Sequence, residues 1–434
     1  MYKTFNKTSE LIEWIQNLKR FSRKKSLDKM KYLCKLFNNP EKHFPSIHVT
    51  GTNGKGSVVS YLKNVFMENG LNVATFTSPY IVKFNERIMI NNDMISDEDI
   101  LKIGNAIIEK FDQIESEDYE IPTFFEFITL MAFIYFSEHK ELDLAIIEVG
   151  IGGVLDSTNV IMPIISVISN IGMDHMNVLG STLEEILINK LGIVKNDIPA
   201  VIGIKDEKLK NVCLKYKKLH NLSGNFNFPL LTTYPQHQCS LEKTTFILPK
   251  YGEIELQLLG IHQIENAMIA IKTIEVFNSL NFRNHLNEKI VISNVILKRG
   301  LKKTTWPGRL EIVSRNPLIV IDGGHNSDCI NRIMDFVKTL PYENKRCIFS
   351  CSSDKDKEMM LSLIEPYFDE IILTAFTYKR HSEIEELNRL CSHSNKKIIN
   401  NVNDAVEYVK QNPLSFNLFI GSLYFISEIR PLLK

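Results

Sequence analysis

The sequence predicts an α/β protein built on a doubly wound, mostly parallel sheet, with a smaller α/β domain at its C-terminal end. Apolar runs of strand length alternate with amphipathic runs of helix length over most of the chain, a pattern typical of parallel sheets covered by helices on both faces. A glycine-rich segment at 51–57 joins one such strand to one such helix. The same strand–turn–helix order returns at 318–340, so we expect a second α/β unit there.

Length and composition are those of an ordinary globular protein. The 434 residues exceed the usual size of one domain, and we place the boundary between domains 1–298 and 299–434, at a basic run before Trp306-Pro307-Gly308. Basic and acidic residues balance at 51 each, so no overall field attracts nucleic acid or an anionic membrane. Seven scattered cysteines without a C-x-x-C pair argue against a zinc site or disulfide framework and favour the cytoplasm. The charged N-terminus and the lack of a long apolar stretch predict no signal peptide and no membrane span.

Apolar periodicity predicts the elements in order. In the first domain we predict helices at 9–37 (two pieces), 58–67, 97–111, 123–139, 182–194 and 262–277, and strands at 47–49, 71–77, 142–149, 164–169 and 199–202. Residues 244–248 and 253–258 flank the turn segment 249–252 and predict a hairpin. In the second domain we predict strands at 310–314, 318–321, 346–350 and 370–373, and a helix at 328–340.

The glycine-rich segment G-T-N-G-K-G-S at 51–57 has the composition of a phosphate-binding loop. Glycine lets the backbone approach a polyphosphate closely, and the N-terminus of the following helix attracts anions. Lys55 would contact the β- and γ-phosphates, and Ser57 or Thr52 would reach a magnesium ion. The spacing departs from the common G-x-x-x-x-G-K-[ST], and a structural turn without a ligand is the alternative.

Polar residues follow three of the predicted strands, where a doubly wound sheet binds its ligands. Ser78 follows strand 71–77, Glu148 lies at the end of strand 142–149, and His175 follows strand 164–169. A hydroxyl, a carboxylate and an imidazole from these strand ends would share one magnesium ion near the phosphates. A strand-end carboxylate satisfied by its neighbours and an ordinary loop histidine are the alternatives.

Four further residues have two interpretations each. Lys190 lies in the helix at 182–194, where a solvent-exposed lysine is the default and a chemically modified lysine facing a metal is the alternative. Asp322 and His325 follow the strand at 318–321 and would face a ligand, although a helix N-cap also explains that turn. Arg309 would bind a phosphate through two N–H groups or lie on the surface.

A series of short motifs runs through nearly the whole chain. In the first half they are H-V-T-G-T-N-G-K-G-S at 48–57, T-S-P-Y at 77–80, F-N-E-R-I at 84–88, T-F-F-E at 123–126, E-V-G-I-G-G-V-L-D-S-T-N at 148–159, G-M-D-H at 172–175 and K-L-G-I-V-K at 190–195. Later ones are L-G-I-H-Q-I-E-N-A at 259–267, W-P-G-R-L-E at 306–311, D-G-G-H-N at 322–326 and G-S-L-Y at 421–424. In this order they resemble the folylpolyglutamate synthase/dihydrofolate synthase family, a branch of the Mur ligase superfamily.

The resemblance implies a central P-loop ATPase domain of the Mur ligase type and a C-terminal Rossmann-like glutamate-ligase domain, with the active site between them. It implies ATP-dependent addition of L-glutamate to dihydropteroate, to the glutamate tail of a reduced folate, or to both, through an acyl phosphate. ATP and Mg²⁺ are the implied cofactors, with small molecules as the only partners. Family members are often monomers, so we expect a monomer. A need for a monovalent cation stays open.

The resemblance also implies a role for each matched residue. The ATP-binding set is Thr52, Asn53, Gly54, Lys55, Gly56, Ser57, Gln263, Asn266, Arg309 and Asp322. The magnesium set is Ser57, Ser78, Glu148 and His175. Lys190 matches a lysine that is carbamylated in the superfamily, and it forms the catalytic set with Lys55 and with His325, a candidate base. Thr123, Phe125, Asp156 and Ser157 match positions that line the pterin pocket.

The chain departs from the family pattern at four matched positions. Val154 replaces an arginine, Tyr80 replaces a histidine, Asn189 replaces a glutamate, and Leu191 replaces an alanine. Two other hypotheses therefore stay open. One is another Mur-type amide ligase that acts on a peptidoglycan precursor, and the other is a nucleotide-binding relative without catalytic activity, for which Val154 is the main support.

Overall fold

The computed structural model describes residues 2–23, 26–231, 234–378 and 381–433. The chain divides into two compact units, each with its own parallel sheet. The first comprises Met1–Ser78, Phe84–Thr233 and Glu265–Leu301, and the second comprises Pro79–Lys83, Tyr234–Ile264 and Lys302–Lys434. The functional domains 1–298 and 299–434 stay a prediction.

The first unit is built on an eight-stranded sheet, which confirms the predicted doubly wound α/β architecture. Its strands are β1 Ser46–Thr50, β2 Val73–Phe76, β3 Ile88–Ile90, β4 Asp93–Met94, β5 Leu144–Glu148, β6 Ile165–Ile168, β7 Ala200–Ile202 and β8 Phe226–Asn227. They lie in the order β4-β3-β2-β5-β1-β6-β7-β8. All pairs from β2 to β8 are parallel, and only the β3 and β4 edge is antiparallel. β1 and β5 are buried along their whole length, as expected for strands covered on both faces.

Helices cover this sheet. Up to residue 303 they are α1 Thr8–Gln16, α2 Asp28–Leu36, α3 Lys55–Glu68, α4 Asp97–Ile108, α5 Phe111–Ser116, α6 Phe124–Glu138, α7 Met176–Leu179, α8 Leu183–Leu191, α9 Glu207–Leu219, α10 Ile261–Ser279 and α11 Asn294–Lys303. Of these, α4, α6, α8 and α9 begin at a residue whose side chain caps them. Capping boxes start α6 (Thr123 with Glu126) and α8 (Thr182 with Glu185) by satisfying first-turn N–H groups. Within the described ranges no helix is both long and apolar enough to cross a membrane.

The second unit contains two sheets. The antiparallel sheet consists of β9 His237–Cys239, β10 Thr244–Leu248 and β11 Gly252–Leu256, and its β10–β11 pair confirms the predicted hairpin. The other sheet has the order β12-β13-β17-β14-β15-β16, with β12 Glu311–Arg315, β13 Leu318–Asp322, β14 Lys345–Phe349, β15 Glu370–Leu373, β16 Lys396–Ile398 and β17 Phe416–Ile420. Its helices are α12 Ser327–Val337, α13 Lys357–Ile364, α14 Ile384–Leu390, α15 Val402–Gln411 and α16 Leu423–Ile429. All strands but β12 are parallel.

A buried ion pair joins the amino-terminal ends of β14 and β15. The Arg346 guanidinium donates to Glu370, to Asn412 O at 2.7 Å and to Asn417 Oδ1 at 3.1 Å. We expect Arg346→Ala to lower the free energy of unfolding by about 3–5 kcal/mol, because it leaves the Glu370 carboxylate buried without its cation. Urea unfolding followed by circular dichroism would measure this. The control is Lys338→Ala, which breaks an exposed pair, and equal midpoints for the two variants would contradict the prediction.

Candidate active site

The glycine-rich loop connects the carboxyl end of β1 to α3, as predicted. Gly54 has a φ of 78° and lies so close to Asn266 that a Cβ atom would overlap its side-chain amide. Glycine is therefore required at this position both for its backbone conformation and for the close approach. The Asn53 N–H donates to Asn170 Oδ1 at 2.7 Å, which fixes the loop against the segment after β6.

The two hydroxyls of the loop have different environments. Thr52 Oγ1 donates to Gly172 O and accepts from Gly172 N, both at 3.0 Å, so it shapes the loop. Ser57 is 2% exposed, and its hydroxyl forms no hydrogen bond with another residue in the described part of the chain. Of the two hydroxyls proposed from the sequence, Ser57 is thus the one left for a cation.

The start of α3 lacks the features that usually stabilise a helix N-terminus. Its N-cap is Gly54, without a side-chain cap, its first residue is Lys55, and its first turn has no acidic residue. A cation at a helix N-terminus opposes the macrodipole, and such violations concentrate at functional sites. Lys55 Nζ donates to Gly51 O at 3.0 Å and to Thr52 O at 3.3 Å. Free helix amides, a glycine-rich loop and this ammonium group together fit a polyphosphate.

The predicted magnesium residues lie at the carboxyl edge of the same sheet. β2 and β5 are neighbours, and the Ser78 N–H donates to Glu148 Oε2 at 3.2 Å. Glu148 is buried, whereas His175 is exposed at the start of α7 with a φ of 51°. Within the described ranges no three His, Cys, Asp or Glu side chains form a metal cluster. Since Mg²⁺ keeps waters and phosphate oxygens among its ligands, a serine and one or two such side chains still fit it.

Lys190 is the most unusual titratable group in the site. It is 2% exposed, which is contrary to the default of a solvent-exposed lysine, and its ammonium forms no hydrogen bond or ion pair with a described residue. Burial, and to a smaller extent the charge of Lys55, lower the pKa of Lys190 to about 7, against the opposing effect of the Asp174 and Asp156 carboxylates. Much of this amine is therefore neutral near pH 7. The effect of Lys55 also shows that the phosphate loop lies within electrostatic range of Lys190 in α8.

The segment 150–157, which we call the acceptor loop, packs directly on α8. Gly153 approaches the α8 backbone so closely that a Cβ atom would lie 3.0 Å from the Cα of Lys190. Asp156 is buried and accepts from Ile151 N and Thr158 N, both at 3.0 Å, and from Thr158 Oγ1 at 2.5 Å. Burial raises the pKa of Asp156, and these hydrogen bonds oppose the rise. The carboxylate therefore holds the loop in shape.

The other predicted pterin residues lie at the start of α6 and beside the acceptor loop. Thr123 is buried in its capping box, and Glu126 of that box forms a buried ion pair with Lys29 at 2.7 Å. The Phe125 ring lies against Gly150, where a Cβ atom would overlap it, and its centroid is 5.8 Å from that of Phe76. Ser157 is half-buried. An aromatic wall and small residues thus adjoin the acceptor loop.

In the second unit, Asp322 organises the turn after β13. Its carboxylate accepts from Leu310 N at 2.8 Å and from Gly324 N at 2.6 Å. Burial raises the pKa of Asp322, and the nearby charge of Arg309 opposes the rise. His325 Nδ1 lies 2.9 Å from Gly323 O, which orients the ring. Asp322, Arg309 and His325 are thus brought to one edge of this sheet.

Gln263 and Asn266 lie in the first two turns of α10, and both are buried. Asn266 is the residue against which Gly54 packs, so its position beside the phosphate loop is observed directly.

Comparison with known proteins bears on what this arrangement does. The Mur ligase middle domain matches residues 49–274, and the Mur ligase glutamate ligase domain matches residues 308–415. The chain is 36% identical over 433 residues to the dihydrofolate synthase/folylpolyglutamate synthase of Bacillus subtilis, covering 97% of this chain and 98% of that protein. The chain belongs to the folylpolyglutamate synthase/dihydrofolate synthase family. It is an ATP-dependent ligase of the Mur ligase superfamily.

Other members of this family are similar to the chain in sequence or in structure. The folylpolyglutamate synthase of Lacticaseibacillus casei is 31% identical, with 97% of each chain covered. Among solved structures, the Thermotoga maritima folylpolyglutamate synthase matches with a TM-score of 0.84 at 27% identity, covering 98% of this chain and 96% of that one. The Mycobacterium tuberculosis folylpolyglutamate synthase, solved with ADP and AMPPCP, matches with a TM-score of 0.87 at 25% identity, covering 98% of both chains. The predicted two-domain Mur ligase fold is therefore confirmed.

Two polar residues of the site, His48 and Thr50, were given no role on the basis of the sequence. His48 and Thr50 lie on the same face of β1, and both contact the acceptor loop or the residue that follows it. Thr50 Oγ1 donates to Gly152 O at 2.5 Å, and His48 Nε2 lies 2.8 Å from Thr158 Oγ1. The available signal was the alternation of polar residues, Ser46, His48 and Thr50, with apolar ones along a buried strand.

Proposed function

We propose that this ligase joins L-glutamate to dihydropteroate and extends the glutamate tail of reduced folates. The observation that carries the proposal is the buried Lys190 amine, which interacts electrostatically with Lys55. Its ammonium has no hydrogen-bond or ion-pair partner among the described residues, and a protein that only bound a nucleotide would gain nothing from burying such a lysine. The acceptors come from relatives that match nearly the full length of this chain. The Bacillus subtilis protein is named for both activities, and the Lacticaseibacillus casei protein is named for folylpolyglutamate synthesis.

The phosphates of ATP would be held by the loop residues Thr52, Asn53, Gly54, Lys55, Gly56 and Ser57, with Gln263, Asn266, Arg309 and Asp322 completing the nucleotide site. Mg²⁺ would be held by Ser57, Ser78, Glu148 and His175, and it would neutralise charge on the transferring phosphoryl group. The free hydroxyl of Ser57 and the contact of Ser78 with Glu148 support this set.

Lys190 would carry a carbamate. A neutral amine attacks CO₂, an N–C bond forms, and one proton leaves to solvent. A pKa of about 7 makes the neutral amine available, and the product carbamate would be attracted to Lys55 instead of repelled by it. The carbamate would then help to position the cation. A monomeric state is a further expectation from the family, and the need for a monovalent cation stays open.

The reaction would proceed in two steps. The acceptor carboxylate attacks the γ-phosphorus of ATP, which gives an acyl phosphate and ADP. The amino group of glutamate then attacks the acyl carbon, and inorganic phosphate leaves. Lys55 and Arg309 would stabilise the charge on the phosphoryl group, and His325 would accept the proton from the amine.

The acceptor would lie against Thr123, Phe125, Asp156 and Ser157. The half-buried Phe125 ring offers a flat apolar face for a pterin. Val154, which replaces the family's arginine, is 40% exposed, and its N–H donates to Asn189 O at 3.1 Å. The backbone of the acceptor loop is therefore held in place without that arginine side chain.

The test is ADP release by the purified enzyme with Mg-ATP and L-glutamate. One tube receives dihydropteroate, another receives tetrahydrofolate, and a third receives a UDP-sugar peptidoglycan precursor. We expect ADP release that depends on glutamate in the first two tubes. Release only in the third would assign the enzyme to another Mur-type reaction. ATP binding without ADP release in any tube would support the hypothesis of a relative without catalytic activity.

A further inference from the structure

His48 is fully buried in the middle of β1, with β5 and β6 as its neighbours. Its Nε2 atom lies 2.8 Å from Thr158 Oγ1, while Nδ1 is buried and has no hydrogen-bond partner among the described residues. Burial, with a smaller contribution from the charge of Lys195, lowers the pKa of His48 to about 3. The imidazole is therefore neutral, and one of its two nitrogens carries a proton.

The hydrogen bonds around Thr158 decide which nitrogen that is. Both Asp156 oxygens accept backbone N–H groups, Oδ1 from Thr158 and Oδ2 from Ile151, so the side chain is an ionised acceptor. Thr158 Oγ1 lies 2.5 Å from Asp156 Oδ1 and has a single proton to donate. Since that proton goes to the carboxylate, Thr158 must accept from His48. His48 therefore has its proton on Nε2.

We propose that His48, as the Nε2–H tautomer, is a positioning residue for the pteroyl acceptor. It orients the Thr158 hydroxyl, which in turn orients the Asp156 carboxylate that holds the acceptor loop in shape. It touches no reacting atom. The inference rests on the proposed function in one respect, namely that the acceptor binds against this loop.

The position of His48 in the chain explains why the effect should be selective. The phosphate loop leaves the carboxyl end of β1, but its own contacts run to Ser169, Asn170, Gly172 and Asn266. The His48 side chain contacts the segment after the acceptor loop instead. Loss of its hydrogen bond should therefore weaken binding of the acceptor more than binding of ATP.

Two substitutions of similar polarity separate the hydrogen bond from the packing. His48→Gln places an amide N–H near the position of Nε2, whereas the shorter side chain of His48→Asn reaches only the position of Nδ1. For His48→Asn we expect the KM for dihydropteroate to rise about tenfold, with kcat and the KM for ATP within about twofold of wild type. For His48→Gln we expect all three constants within about twofold.

Thr158→Val removes the hydroxyl and keeps the shape of the side chain, so it offers a second route if the His48 variants fold poorly. It should raise the KM for dihydropteroate as His48→Asn does. The double variant His48→Asn/Thr158→Val should have a KM for dihydropteroate no higher than either single variant, because all of these variants break the same chain of hydrogen bonds. Equal rises in the KM for dihydropteroate and for ATP, or no change in either, would overturn the inference.

A spectroscopic measurement keeps this result distinct from that of the proposed function. In wild-type enzyme labelled with ¹⁵N-histidine, long-range ¹H–¹⁵N correlations should show His48 protonated at Nε2, with its signals assigned by their loss in His48→Gln. A proton on Nδ1 overturns the inference whatever the enzyme ligates. Absence of turnover in the wild type with dihydropteroate and with tetrahydrofolate overturns the proposed function. In that case the tautomer of His48 still tests whether Nε2 donates to Thr158 Oγ1.

Discussion

Replacement of Lys55 by alanine is expected to lower kcat/KM for ATP-dependent ligation by about 10³-fold or more, because phosphoryl transfer depends on positioned positive charge. Among the described residues, Lys55 Nζ donates hydrogen bonds only to two carbonyl oxygens of its own loop, Gly51 O and Thr52 O. No element of the core depends on these bonds, so the fold should survive. Initial-rate kinetics and urea unfolding of the same preparation would check both statements.

Lys63 provides the matched control for Lys55. It lies in the same helix, and burial lowers its pKa to about 8, but it is two turns away from the loop. Lys63→Ala should retain activity close to that of the wild type. Full activity of Lys55→Ala, or an equal loss in the two variants, would defeat the assignment of the phosphate loop.

Replacement of Lys190 by alanine is expected to lower kcat by at least about a hundredfold, the size of effect seen when one preorganised charge-stabilising group is lost. Short carboxylates such as formate or acetate should restore part of the activity, because they can stand in for the carbamate. Lys190→Arg keeps a cation that cannot form a carbamate, so it should be inactive without added carboxylate. Rescue is measured as ADP release against carboxylate concentration, and Lys55→Ala should show none.

The pH dependence follows from the same lysine. Its pKa of about 7 lies well below that of an ordinary lysine because of burial and of Lys55. Below pH 7 the protonated fraction grows and the neutral amine falls about tenfold per pH unit. At a fixed concentration of dissolved CO₂, the part of the activity that requires CO₂ should therefore decline as the pH falls through 7. Full activity of Lys190→Ala, without rescue or CO₂ dependence, would remove the carbamate from the account.

Local signals predicted most of the fold. The phosphate loop, the strand that ends at Glu148 and the hairpin at residues 244–258 were all confirmed, because each combines apolar periodicity with glycine or proline at its turn. Helix ends shifted by a few residues where caps decided them. The helix predicted at 182–194 spans Leu183–Leu191, since Thr182 is the N-cap.

Pairings over long sequence distances could not be predicted in this way. β17 comes last in the chain yet lies between β13 and β14, and no local pattern states that order. The edge strands β3 and β4 are short and form a hairpin, so they lack the periodicity of a core strand. The motif that follows β17, G-S-L-Y at 421–424, was the only hint of a strand end there.

In the candidate site, too, local features could be predicted from the sequence but long-range contacts could not. Residue types and spacing identified Lys55, Glu148 and Asp322, but the chemistry of Lys190 depends on burial, which helical periodicity alone does not give. The link from His48 to Thr158 joins positions 110 residues apart, and Asp156 lies two residues before Thr158. It became visible only in the folded chain.

Transfer of ¹⁸O from the acceptor tests the central claim most directly. Dihydropteroate labelled with ¹⁸O in its carboxyl group is incubated with the enzyme, Mg-ATP and L-glutamate, and the inorganic phosphate is analysed by mass spectrometry. Attack of that carboxylate on the γ-phosphorus predicts one ¹⁸O atom in each phosphate released with the glutamyl product. Phosphate without label, formed alongside ADP, would contradict the acyl phosphate and with it the proposed ligase mechanism.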